Sequence, residues 1–277
     1  MLSGIKFKSK TEKPKKELSE LLVNEKFSQP SDYDKHFLKH FKPETEEEFS
    51  YQNSDYKPQK IDKYKHPFRQ ISNNCTKCIG SNKFKEHLLV KTEDNFYLSV
   101  PENPLTEGHA LIVPNSHVLA LTELESDEFF EFTALQKHLV SMYKKHLGKS
   151  LVFVEAPKDL SLCKHTAVEV VPITPTQEED CRIMVYKELT DSDEEWTSNP
   201  RVIQTTNKPI PKAVPQGFGY IHFDFNAKGG YAHVVEDKKH FRGDLARQIL
   251  AEVLGVDPLF RRRGVDSSIN LLKSFLN

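Results

Sequence analysis

The sequence predicts an α+β fold: an antiparallel sheet with helices, followed by a smaller second α+β unit. Three patterns carry this prediction. Short strand-like runs crowd residues 87–113, one long helical period begins near Ser126, and two further strand-like runs, LVFVE and HTAVEVVPI, come after it. Strands, then a helix, then strands, without regular βαβ alternation, favour antiparallel pairing.

The 277 residues leave room for one large domain or two modest ones. Hydrophobic content is only 37%, yet residues 85–175 are rich in Leu, Val, Ile and Phe, so the polar excess lies elsewhere. Residues 1–70 carry 15 Lys/Arg against 12 Asp/Glu and show no sustained apolar period. Such a segment buries too little apolar surface to offset its ordering entropy alone, and residues 1–66 are expected to form an extended arm. Its scattered aromatics (Phe27, Tyr33, Phe37, Phe41, Tyr51 and Tyr56) suit either docking on a larger assembly or a solvated tail.

In chain order, HLLVKT (87–92) and FYLSV (96–100) read as a hairpin turning through Glu93-Asp94-Asn95. HALIV follows Gly108 and is halted by Pro114. From Ser126, Phe129, Phe132, Leu135, Leu139, Met142 and Tyr143 recur every three or four residues, giving a helix with one apolar face. Asp127 and Glu128 suit its positive end, Lys144 and Lys145 its last turn, and Gly148 its termination. After LVFVE and HTAVEVVPI, a second helix is expected within QEEDCRIMVYKEL. A Pro-rich connector leads to GYIHFDF and YAHVVE, a hairpin with a Gly-Gly turn at 229–230. The helix DLARQILAEVL ends at Gly255 and precedes a basic FRRRG and a short tail. The expected divisions are an arm at 1–66, an α+β domain at 67–176, a helix and connector at 177–214, and a second domain at 215–277.

Net charge is −1, so no global field marks the chain for nucleic acid and any basic surface must be local. No stretch is long and apolar enough to span a bilayer, and MLSGIKFKSK has no signal-peptide core, which points to an intracellular protein without a membrane partner. Four cysteines, two of them as CxxC, fit a reducing compartment and a metal site better than a disulfide scaffold.

Cys75 and Cys78 lie in NNCTKCIGS, which lacks the strand before and helix after that a redox CxxC needs. Zinc is therefore favoured, and a structural zinc takes four tetrahedral ligands. His117, after LIVP, and His165, opening a strand-like run, are candidates for the other two, with ordinary loop or core histidines as the alternative. Cys163, two residues before His165 and hence on the same face of a strand, is the rival for the fourth position.

CTKC, LTEGHALIVPNSH, a helix and then HTAVEVVP resemble the histidine-triad (HIT) superfamily. They resemble more closely the HIT-like first C-terminal domain of CwfJ-type splicing factors. SDEEW, KAVPQGFGYIHFDFNAKGGYAHVVEDKKHF and FRRRG are similar to the second C-terminal domain of that family, so the resemblance covers roughly residues 70–265. It implies one structural zinc held by Cys75, Cys78, His117 and His165. It also implies a lost reaction, because HIT catalysis uses His-x-His-x-His with the middle imidazole attacking a nucleotide's α-phosphate. Here the second and third positions are Ala167 and Glu169. A methyl group cannot attack phosphorus, and a carboxylate repels phosphate.

What the resemblance implies about function is a non-catalytic, nuclear, spliceosome-associated factor acting on late, intron-lariat complexes. Its partners would be spliceosomal proteins, snRNA or intron lariat RNA, and the lariat debranching enzyme. The residues add cations suited to RNA phosphates: Lys212, Lys228, Lys238, Lys239, Arg242, Arg247, Arg261, Arg262 and Arg263, with Lys208 in the connector. Tyr220, Phe223 and Phe225 would stack on bases if exposed, and otherwise form hairpin core. Two competing readings are a HIT-type nucleotide hydrolase, transferase or debranching nuclease using a non-triad site, and a pure protein adaptor. Debranching wants a two-metal cluster of His, Asp and Asn ligands, which the chain is not expected to hold.

Overall fold

A computed structural model describes residues 74–191, 202–236, 238, 241–258 and 264–276. The expected arm at 1–66, Lys239 and Arg261–Arg263 lie outside the described residues. The chain enters the sheet through β1 (Leu89–Thr92) and β2 (Phe96–Ser99), preceded by a 3-10 turn at Glu86–Leu88. β3 (Ala110–Pro114) takes in Pro114 as its last residue, followed by a 3-10 turn at Leu121–Glu123.

Helix α1 (Ser126–Leu147) begins where the acidic first turn predicts and stops at Gly148, which adopts the left-handed conformation at φ 61°. It buries Phe132, Leu139 and Tyr143, the apolar stripe read from the sequence. β4 (Ser150–Glu155) and β5 (Val168–Ile173) follow.

Helix α2 (Pro175–Asp191) starts two residues earlier than expected. Thr174 and Gln177 explain the start: the Gln177 amide donates to the Thr174 hydroxyl at 3.2 Å, and the Thr174 amide donates back to Gln177 Oε1 at 2.9 Å. This is a reciprocal capping box, with Pro175 preset in the first turn.

The remaining elements are β6 (Ile203–Gln204), a one-turn helix α3 (Ile210–Ala213), β7 (Gly219–Phe225), β8 (Gly230–Val235), α4 (Leu245–Leu254) and α5 (Val265–Leu276). The last corrects the sequence reading, in which residues after FRRRG form only a short tail. Ile269, Leu272, Phe275 and Leu276 recur at helical spacing, and they bury against the face that carries α1. Ser268 fixes the seating: its hydroxyl accepts the Gly108 amide at 3.3 Å, while Tyr143 donates to the Gly108 carbonyl at 2.6 Å.

All described strands join one antiparallel sheet of eight, ordered β1-β2-β3-β5-β4-β7-β8-β6. The second α+β unit contributes β7 and β8 to this same sheet, through β4–β7 pairing from Val152↔Phe225 to Glu155↔His222, and the connector adds β6 beside β8. β7 is buried at every position, because it lies between β4 and β8 in a sheet whose two faces are both covered. Tyr220, Phe223 and Phe225 are therefore core residues and not a stacking surface.

The hairpin turn also differs from expectation. Asn226 and Ala227 both adopt φ 55°, Gly229 adopts φ 82°, and Gly230 is already in β8. The left-handed demand thus falls on residues 226–229, not on a Gly-Gly pair at 229–230.

The sheet is covered on both faces. One core joins Phe153, Val168 and Val170 to Leu139 of α1 and Leu272 of α5. The other joins Val152, Val171 and Phe223 to Val185 of α2 and Leu250 of α4. Truncating such a side chain, for example Leu139→Ala, removes about 2–5 kcal/mol.

Candidate metal centre

Four side chains from three distant parts of the chain converge beside the start of β5. One ligand atom from each of Cys75, Cys78, His117 and His165 lies within 4.8 Å of every other. Cys78 Sγ is 3.1 Å from His117 Nδ1 and 3.4 Å from His165 Nδ1, and Cys75 Sγ is 3.7 Å from His165 Nδ1. Tetrahedral bonds of about 2.0–2.3 Å place neighbouring ligand atoms roughly 3.3–3.8 Å apart, close to these separations. The donor set, two thiols and two imidazoles, suits a borderline-soft divalent ion.

Local structure aims each donor. A backbone turn, with the Ser81 amide donating to the Cys78 carbonyl at 3.1 Å, folds the CxxC loop back on itself. Tyr97 of β2 donates to the Lys77 carbonyl at 2.6 Å and fastens that loop to the sheet. Both histidines direct Nδ1 inward because Nε2 is occupied on the far side. His117 Nε2 meets the Cys163 carbonyl at 3.1 Å, and His165 Nε2 meets the Pro114 carbonyl at 2.9 Å. An imidazole N–H donating to a carbonyl fixes the tautomer and leaves the opposite nitrogen as a lone-pair donor.

Electrostatics favour an anionic site that wants a cation. Burial resists ionisation of Cys75, but hydrogen bonds with His117 and His165 and the Lys77 and Cys78 amides outweigh it and bring the thiol down to about 5. Burial and the adjacent Cys75 charge push Cys78 up to about 12. A divalent ion between the two would supply the positive charge that lets both ionise.

Two sequence expectations change here. β5 begins at Val168, so His165 and Ala167 precede the strand, and Thr166 is held by its amide donating to the Val118 carbonyl at 2.9 Å. Cys163 caps a 3-10 turn at Leu160–Leu162 in the left-handed conformation, φ 47°. It does not share a strand face with His165, its thiol contacts the Ser161 carbonyl at 3.7 Å, and it is not among the clustered ligands.

Glu169 lies within β5, with its carboxylate 3.4 Å from Nε2 of the fully buried His109. Against the desolvation of its site, His109, with Arg247 and Lys77 beyond it, holds Glu169 below the usual carboxylate range. His109 Nδ1 accepts the Leu105 amide at 3.1 Å, which orients the ring toward that carboxylate.

Sequence reasoning missed Glu155, which ends β4 and is 2% exposed. Its carboxylate accepts from the Leu121 amide at 2.8 Å, from Thr166 Oγ1 at 2.7 Å and from the Tyr220 hydroxyl. Burial pushes Glu155 up to about 7 against the pull of these donors. His222-Phe223-Asp224 is an H-x-D stretch, but its two polar members join no metal-like group among the described residues. His222 bonds Thr205 Oγ1 at 3.0 Å, and Asp224 accepts the Gly229 amide at 3.0 Å.

The cationic candidates separate into two kinds. Lys238 pairs with Asp159 at 2.9 Å, and Arg242 reaches Glu188 at 3.6 Å and donates to Gln248. Arg247 donates to the carbonyls of Pro258 at 2.8 Å and Asn103 at 3.1 Å, clamping α4 to the loop before β3. Lys212 and Lys228 are exposed.

The fold and this centre define an α+β protein built on one antiparallel sheet, with a closed cluster of two cysteines and two histidines at its rim. Residues 62–186 match the family described as "Protein similar to CwfJ C-terminal", and residues 195–270 match "Protein similar to CwfJ C-terminus 2". The chain belongs to the CwfJ C-terminal family.

Among its relatives, the human CWF19-like protein 2 is 34% identical over 195 residues, which is 70% of this chain and 22% of that protein. The Caenorhabditis elegans CWF19-like protein 2 homolog is 29% identical over 195 residues, 70% of this chain and 42% of the relative. The Schizosaccharomyces pombe pre-mRNA-splicing factor cwf19 is 27% identical over 205 residues, 70% of this chain and 32% of the relative. The chain thus spans about a fifth of the length of the first of these relatives (22%). A zinc-bound histidine triad family protein from Mycobacterium smegmatis overlaps 38% of this chain and 78% of its own, with 20% identity and a TM-score of 0.31.

Proposed function

We propose that this chain acts in pre-mRNA splicing as a non-catalytic, zinc-stapled CwfJ-type factor. In this reading it works in the nucleus on late, intron-lariat complexes, contacting RNA and spliceosomal proteins near the lariat debranching step. The names of its relatives, CWF19-like protein 2 and pre-mRNA-splicing factor cwf19, support the splicing role. The observation that carries the non-catalytic part is the placement of His165. Its Nδ1 faces two cysteine sulfurs and its Nε2 meets a backbone carbonyl, so neither nitrogen is available to attack phosphorus. Ala167 and Glu169 offer no replacement nucleophile of the imidazole type.

Zinc fits the donor set, and Cys75, Cys78, His117 and His165 would hold it with every position filled by protein. A closed four-ligand site contributes folding energy and leaves no open coordination position for substrate. The chain's own residues then bind and position. Exposed Lys212 and Lys228, together with Lys239 and Arg261–Arg263, supply phosphate contacts.

The test is crosslinking of the chain to RNA in cells, with the crosslinked nucleotide identified. Crosslinks in snRNA or near intron branch points support the proposal. Recovery of the chain from late spliceosomal complexes without any RNA crosslink would favour a protein adaptor instead.

A further inference from the structure

A cavity of about 280 Å³ opens on the face of the sheet that carries α1. None of the four metal-centre residues lines it. Its apolar wall includes Phe129, Phe132 and Phe153. Its inner polar wall includes Gln136, Glu155, His222 and Asp224, all at least nine-tenths buried. Its rim carries Lys208 and Lys228, both exposed and without an ion-pair partner among the described residues.

The walls are built and not incidental. The Thr205 amide donates to the Gly230 carbonyl at 2.9 Å, and the Gly230 amide donates to Thr205 Oγ1 at 2.9 Å. These bonds tie the loop bearing Lys208 to the turn bearing Lys228, so the two ammonium groups flank one opening. Glu155 is held by three donors, which makes it a fixed part of the wall, and it belongs to no metal-like group among the described residues.

Size and chemistry narrow the occupant. The volume lies at the small end of ligand cavities, suited to one ring system and not to a peptide segment or an acyl chain. Aromatic carbon beside amide, imidazole and carboxyl groups suits a flat heterocycle with polar edges. Two cations at the mouth, unpaired among the described residues, suit an anion that stays in solvent while the ring enters. We propose that this cavity takes one nucleotide, base inward and phosphate against Lys208 and Lys228, either as an extruded residue of single-stranded RNA or as a free mononucleotide. The RNA form rests on the function proposed above. Inserting one unstacked base is a common route to single-strand recognition.

The experiment is calorimetric titration of the full, metal-loaded chain with the four nucleoside monophosphates and with a short single-stranded oligoribonucleotide. Lys208→Glu with Lys228→Glu should weaken oligonucleotide binding about tenfold or more. Thr133→Phe, which fills the cavity from α1, should abolish mononucleotide binding, with melting curves confirming that the variants fold.

Photocrosslinking of 4-thiouridine RNA to the wild-type chain gives a readout independent of any variant, and the crosslinked peptide should come from residues 129–136 or 205–210. Binding of the mononucleotides alone would assign a free nucleotide as the ligand and remove the RNA reading. RNA binding unaffected by all three substitutions, with crosslinks elsewhere, would overturn the cavity inference and leave the RNA reading standing. Binding of neither ligand by the wild-type chain would overturn both.

Discussion

His165 Nε2 lies 2.9 Å from the carbonyl oxygen of Pro114, the last residue of β3. This contact turns the ring so that Nδ1 meets the sulfurs of Cys78 and Cys75 at 3.4 and 3.7 Å. The strand end that halts at a proline therefore orients a candidate metal ligand.

Metal removal should destabilise the fold. Chelation or Cys75→Ser is expected to cost several kcal/mol in denaturant unfolding, about 3 or more, because a structural site contributes its binding energy to folding. Cys163→Ser should stay within about 0.5 kcal/mol, because the thiol contacts the Ser161 carbonyl outside the ligand cluster, and the backbone carbonyl that meets His117 is kept. A large loss at Cys163 with little at His165 would reverse the assignment of the fourth ligand.

Much of this centre was legible in the sequence, and much of its setting was not. Cys75 and Cys78 announce themselves by spacing, while His117 and His165 needed the family resemblance, since a lone histidine beside an apolar run carries no label. The left-handed turn at Cys163 was hidden, because strand alternation assumed across 163–169 holds only from Val168 onward. Joining of the two units through β4 and β7 was also hidden, since pairing partners so far apart in the chain leave no local signature, as Val154↔Phe223 shows. Its trace was the unbroken burial of GYIHFDF. The capping box at Thr174–Gln177 and the apolar period of the last helix are both legible in the sequence.

Glu155 gives the fold a defined pH dependence. Burial raises its pKa from the ordinary carboxylate value of 4.5 to about 7, so between them the unfolded chain has released a proton that the folded chain retains. Stability from this group is therefore greatest at low pH and is lost as pH rises through about 7. Relative to Glu155→Gln, which cannot titrate, the wild type should lose about 2 kcal/mol between roughly pH 5.5 and 8 in urea titrations. A pH-independent difference would contradict the burial argument.

Tyr220→Phe should cost about 1–3 kcal/mol, because it strips one donor from a buried carboxylate and leaves the site otherwise intact. The same substitution should raise the apparent pKa of Glu155 further, which shifts the pH profile of unfolding upward.

Gly229→Ala should destabilise by about 1–3 kcal/mol through backbone strain and a steric clash. Gly229 has φ 82°, and a Cβ there would meet the Thr205 carbonyl oxygen at 2.4 Å. Thermal unfolding checks the loss, and the loop bearing Lys208 should loosen in hydrogen exchange, since that carbonyl belongs to it.

RNA binding, where it occurs, should fall steeply as salt rises, and reversing the charge of Arg261–Arg263 should flatten that slope as phosphate contacts are lost. An affinity indifferent to salt would point to an apolar adaptor surface.

Native mass spectrometry of the purified chain, before and after incubation with an adenylated substrate, tests the central claim most directly. The expected result is one zinc ion per chain and no covalent nucleotide. A mass increase matching a nucleotidyl adduct, or less than about half an equivalent of zinc, would contradict it.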